Sequence, residues 1–113
     1  MDPDKFFLSV QEFARKATKR TDALVSKVVL DLGSRLVARS PVGDPSAWAS
    51  PAPAGYTGGR FRANWQYGAG ALPEGVLASV DKTGRVSLAR IAEGLAKVPN
   101  AARRVHYVVN NLP

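Results

Sequence analysis

Between Ser40 and Gly59 the chain places four of its eight prolines and four of its ten glycines. Neither a helix nor an interior strand persists through such a run, since proline removes a backbone donor and glycine raises the entropy cost of order. The stretch SPVGDPSAWASPAPAGYTGG is therefore a loop. Loops of this length in small domains usually serve binding, so residues 40–59 are expected to work as an assembly arm. With 113 residues, 45% of them hydrophobic, the chain supports one core, and 1–113 is read as a single domain.

Upstream of the loop, Ser9-Val10-Gln11-Glu12 has capping-box spacing, which predicts a helix start near residue 9. Apolar residues then recur at Val10, Phe13, Ala14, Ala17, Leu24, Val25, Val28, Leu32 and Leu36 at close to the helical period. Pro41 ends the run. One continuous helix of about thirty residues is the simplest reading; a break within Thr18 to Asp22 is the alternative. Gly33 costs about 1 kcal/mol relative to alanine in a helix, which points to another backbone close by or to mere tolerance.

Downstream, Phe61, Ala63, Trp65 and Tyr67 alternate with Arg60, Arg62, Asn64 and Gln66, the pattern of a half-buried strand. A short β-compatible run over 75–80 is expected to pair with it as a hairpin. Ser87 is placed to cap a second helix carrying Leu88, Ile91, Ala92 and Leu95. Arg104 to Val109 reads as a third strand with Val105, Tyr107 and Val109 on the core face. The expected fold class is α+β: a long N-terminal helix and a shorter one packed on a small, mainly antiparallel sheet, with the long Pro/Gly-rich loop between.

Catalytic chemistry has few candidates. The chain has no cysteine, one histidine and nine scattered acids, so no thiolate, histidine or carboxylate metal site is expected, and no cofactor. It lacks the phosphate-cradling, dinucleotide-binding and nucleophile-elbow motifs, and His106 falls on the outer strand face without a partner. An enzyme is disfavoured. No segment has the length and apolarity of a membrane span, nor does the N-terminus have a secretory pattern, so a soluble protein with no membrane partner is expected.

The net charge of +7 implies attraction to polyanions. Arg15, Lys16, Lys19, Arg20 and Lys27 form a basic swath on the first helix, open to two readings: a solvated face or a surface toward DNA phosphates without base readout. Arg60, Arg62 and Asn64 likewise suit either a neighbour's carboxylates or plain solvent exposure. Trp65 reads as core. Trp48 lies in the loop, where it either folds back on its own domain or anchors the loop in another subunit.

Taken together, VVLDLGSRLVARSPV, the loop closing in GGRFRANW, and the final YVVNNLP resemble the small neck, head-tail joining or tail-completion proteins of long-tailed bacteriophages. The likeness spans nearly the whole chain and is specific in combination, through Ser40-Pro41-Val42, Gly59 to Trp65 and Asn110 to Pro113. In shorter relatives the Pro-Val element runs almost directly into the Gly-Arg element; here residues 43–58 lie between them. The family also usually continues past Asn-Asn-Leu-Pro, so a last strand or partner-binding tail is expected to be missing.

The resemblance implies a virion structural subunit without catalysis, forming a ring, commonly sixfold, at the head-tail interface or the upper end of the tail. Its partners would be copies of itself, adjacent head-completion, tail-terminator or tail-tube proteins, and genomic DNA in the lumen. The expected subunit- or partner-facing residues are Pro41, Trp48, Pro51, Pro53, Tyr56, Arg60, Arg62, Asn64, Asn110 and Asn111. A small basic nucleic-acid-binding module is the competing reading.

Overall fold

Asp2 starts the first helix, its carboxylate accepting the Asp4 backbone N–H at 3.0 Å with proline in the first turn. In the computed structural model, which describes residues 2–43 and 48–113, α1 therefore runs over Pro3–Arg39, beginning six residues before the expected start. The capping box at Ser9 is not formed, because the serine hydroxyl donates to the Lys5 carbonyl one turn back at 2.9 Å. The helix passes through Thr18 to Asp22 unbroken, and the Thr18 and Thr21 hydroxyls bond carbonyls one turn earlier.

At roughly 1.5 Å per residue a helix of this length reaches well beyond a small domain. The molecule measures 78 × 22 × 16 Å, with a radius of gyration of 20.3 Å, against roughly 13 Å for a compact chain of this length. Every described residue from Asp2 to Thr21 is exposed, so the N-terminal half of α1 projects free of the rest of the chain.

The C-terminal half packs, but not on the face the sequence pattern suggests. Val29, Leu30, Gly33 and Val37 face the core, whereas Leu24, Val28 and Leu32 of the expected stripe stay exposed. The helix carries two apolar faces, and its own domain covers only one.

After the loop, Gly59 to Asn64 closes as a helical turn, α2 (Arg60–Ala63), instead of the first half of a strand. The Gly59 carbonyl decides this by accepting the Ala63 N–H at 3.0 Å. The strand β1 (Trp65–Ala69) follows. Helix α3 (Arg85–Ala96), a single 3₁₀ turn (Ala101–Arg103) and β2 (His106–Asn110) complete the order.

The sheet has two strands, β1 antiparallel to β2, with Trp65 opposite Asn110 and Ala69 opposite His106. The hairpin expected between β1 and 75–80 is not formed. That segment does run past β1 in the antiparallel sense, but side chains hold it: Asn64 Oδ1 accepts the Leu77 N–H at 2.7 Å and Gln66 Nε2 donates to the Gly75 carbonyl at 3.0 Å. The expected α+β architecture, with a long helix, shorter helices and a small antiparallel sheet, is what the structure contains.

Helix α3 sits between α1 and the sheet, and two glycines set its approach. A Cβ on Gly33 would stand 3.2 Å from the Ile91 side chain, and one on Gly94 2.8 Å from the Tyr67 ring. Gly33 thus makes room for a side chain, not for the backbone expected there. Ile91, Leu95 and Val37 form the buried centre, with Trp65, Tyr67 and Val108 against it. This places the Trp65, Tyr67, His106 and Val108 face of the sheet inward, the reverse of the face expected for β2; Val105 is 61% exposed.

Candidate functional site

The residues singled out in the sequence fall into two groups in space. One group closes the fold where α1, the loop stem, α2 and β2 meet. Arg62 is its hub: its guanidinium donates to the carbonyls of Ser40 at 2.7 Å, Ala38 at 3.3 Å, and Lys82. The first two satisfy carbonyls at the end of α1, and the third ties in the segment before α3. Both terminal nitrogens of the guanidinium are bonded inside the chain, while Nε is buried with no partner among the described residues. Beside it Trp65 Nε1 donates to Ser40 Oγ at 2.7 Å, and Ser40 Oγ donates to the Leu36 carbonyl at 2.6 Å.

Asn64, also expected at a surface, is fully buried. Its amide donates to the Arg60 and Leu77 carbonyls at 2.7 and 3.2 Å while its oxygen accepts from Leu77. Asn110 donates to the Phe61 carbonyl at 2.8 Å, and Asn111 to the Pro73 and Gly75 carbonyls at 3.1 and 3.0 Å. The Arg-Ala-Asn-Trp and Asn-Asn elements thus bond within one chain, and the surface position expected for Asn64 is corrected by its burial. The reason is supply, since short irregular segments lack ladder partners and take side-chain amides and guanidinium groups instead.

The loop itself begins and ends at one point. The Gly59 N–H donates to the Val42 carbonyl at 2.8 Å, so residues 43–58 leave and return to a closed stem. That geometry accounts for how a long insertion is accommodated between the Pro-Val and Gly-Arg elements. Pro41, Pro51 and Pro53 are exposed on it. Trp48 packs edge-on against Tyr56 within the loop, ring centres 4.8 Å apart. Both rings stay about two-fifths exposed, at 41% and 38%. Asp44 to Ala47 lie outside the described residues.

Asp81 was not singled out by any motif, yet it organises the start of α3. Its carboxylate is buried at 6% exposure and accepts the backbone N–H groups of Gly84 and Ser87 at 2.9 and 2.8 Å and the Ser87 hydroxyl at 2.9 Å. Ser87 is thus bonded by this carboxylate and is not itself the cap. Burial alone would raise the Asp81 pKa, but the donors from Ser87, Gly84 and Thr83 outweigh it and hold the group below its ordinary 3.8. A depressed native pKa means the unfolded chain binds more protons in acid. Stability from Asp81 is present above about pH 4 and lost as pH falls through the native value. Asp81→Asn is expected to flatten that acid limb in urea titrations from pH 6 to pH 2.5; an unchanged slope would refute it.

His106 faces inward, with Nδ1 2.5 Å from the Tyr67 hydroxyl and Nε2 2.7 Å from the Ala101 carbonyl. A carbonyl only accepts, so Nε2 donates to it, and in the neutral ring Nδ1 then accepts from the phenol. Burial raises the Tyr67 pKa, in keeping with that protonated phenol. Both ring nitrogens are engaged within the chain. Among the described residues no cluster of His, Asp and Glu has metal-holding geometry, and no helix is long and apolar enough to cross a membrane.

The second group is the exposed half of α1. Arg15, Lys16, Lys19, Arg20 and Lys27 all face solvent, with Lys16 paired to Glu12 at 3.3 Å. Phe6, Phe7, Leu8, Val10 and Phe13 are exposed with them, Phe13 at 72%. These large apolar side chains have no covering surface among the described residues of the chain. Sequence periodicity picked out Val10 and Phe13, whereas Phe6, Phe7 and Leu8 precede the helix start expected near residue 9. Compared with protein-family models, curated proteins and solved structures, the chain matches none.

Proposed function

We propose that this protein is a structural subunit of the neck or upper tail of a long-tailed bacteriophage, assembling with copies of itself into a closed ring, commonly sixfold, between head and tail. The observation that carries the reading is the free half of α1, whose exposed phenylalanines have no covering surface in their own domain. An isolated helical stretch of this length is marginal in water, so a partner that buries it supplies its stability. The motifs of the resemblance support the same reading from another side, because they build the rigid body from which helix and loop project. Adjacent head and tail proteins would meet that ring on its two faces, and DNA would pass its lumen.

Purified protein is expected to give closed rings in negative stain and a single multi-subunit mass by light scattering, and the protein is expected in mature virions. A strictly monomeric protein that is missing from particles would overturn the proposal. The competing reading, a small basic nucleic-acid-binding module, draws on the net charge of +7 and the exposed basic residues of α1. Salt-sensitive binding of free DNA by the monomer, without assembly, would favour it.

A further inference from the structure

The uncovered stripe of α1 continues along the packed half of the helix through Leu24, Val28 and Leu32. There it enters a groove of about 410 Å³ between the last turns of α1 and α2. Leu32, Leu36, Phe61 and Trp65 form the apolar floor, and Arg35 and Arg39 stand over it. Among the described residues neither arginine is in an ion pair, and Lys16 with Glu12 forms the one ion pair found there.

The opposite end of the same helix has the matching surface. Asp2 and Asp4 stand at its first turn, directly before the exposed Phe6 and Phe7. The two carboxylates outnumber Lys5, which stands between them and Phe6, so the side chains at this end are net acidic beside aromatic rings. The groove presents positive charge beside an apolar floor. The two lie some thirty residues apart on one unbroken helix, roughly 45 Å at the helical rise, so a chain cannot fill its own groove. A second copy can.

From this geometry we infer that the acidic, aromatic N-terminal end of α1 in one copy seats in the arginine-flanked groove of another copy. The inference rests on the assembly reading above and deepens it by naming the contact. Two different surfaces meet, so the contact repeats head to tail and closes into a ring where the rotation allows.

Two variants test it, each altered only at exposed positions and checked for unchanged helicity by circular dichroism: Phe6→Ser with Phe7→Ser at the tip, and Arg35→Glu with Arg39→Glu at the groove. Each alone is expected to weaken self-association about a hundredfold, as loss of two buried aromatic anchors or of the charge match implies. Mixed in equal amounts they should recover one-to-one pairs, because one keeps a sound groove and the other a sound tip. Wild-type rings that persist in both variants would overturn the inference and leave the ring reading standing. Wild-type assembly that stops at a dimer, is broken by both variants and is restored in the mixture would uphold the contact and overturn the ring. Failure of the mixture to pair, or a wild type that stays monomeric, overturns the inference.

Discussion

Asn64→Ala is expected to lower the unfolding free energy by about 3 kcal/mol and the thermal midpoint by roughly 10 °C. The side chain is fully buried, and its truncation removes three hydrogen bonds at once. Two of them tie Asn64, just before β1, to Leu77, so the 75–80 segment is left with its attachments at Gly75. Each bond contributes about 1 kcal/mol net, and the vacated volume adds to the cost. Asn64→Asp separates the parts: it keeps the acceptor for the Leu77 N–H, loses both donors and buries a charge. A loss below 1 kcal/mol in the alanine variant, measured by urea denaturation, would show that this segment is held by something else.

Gly59→Ala should be comparably damaging, by about 3 kcal/mol, for a different reason. Gly59 has φ +96°, and a Cβ there would stand 2.9 Å from the backbone of Asp81 and Lys82. Backbone rotation cannot relieve the clash, because the Gly59 N–H is bonded to Val42 and its carbonyl accepts from both Ala63 and Asp81. Gly55 is the control. It has φ +75° with nothing within 4 Å of a built Cβ, so Gly55→Ala should cost only the left-handed strain, about 1 kcal/mol. Equal losses at the two positions would show that strain, not crowding at the loop stem, sets the cost.

The resemblance-bearing motifs were visible in the sequence, but their work was not. Arg62 and Asn64 look like outward strand positions because the residues around them alternate. In the folded chain the first of these segments turns helical, and both side chains point to carbonyls contributed by distant parts of the chain, Ser40, Lys82 and Leu77. No spacing rule carries that information. Asp81 was missed for a related reason: a carboxylate that caps a helix from four residues before its start does not fit the usual cap spacing.

What could be read from the residues was local. Proline and glycine density marked the loop, 3.6-residue periodicity marked both long helices, and apolar β-formers near the C-terminus marked β2. Local rules act through neighbours on the chain, so they report which conformations a segment adopts. They do not report which of two apolar faces on α1 meets the core, since both have the same period. Only the packed structure decided that: Gly33 admits Ile91 on one face, while Leu24, Val28 and Leu32 on the other stay exposed. Likewise β2 pairs with β1 across some forty residues, and that register turned His106 inward against Tyr67. Contacts between residues far apart in sequence depend on shape fit and shared hydrogen bonds, which exist only once the elements meet.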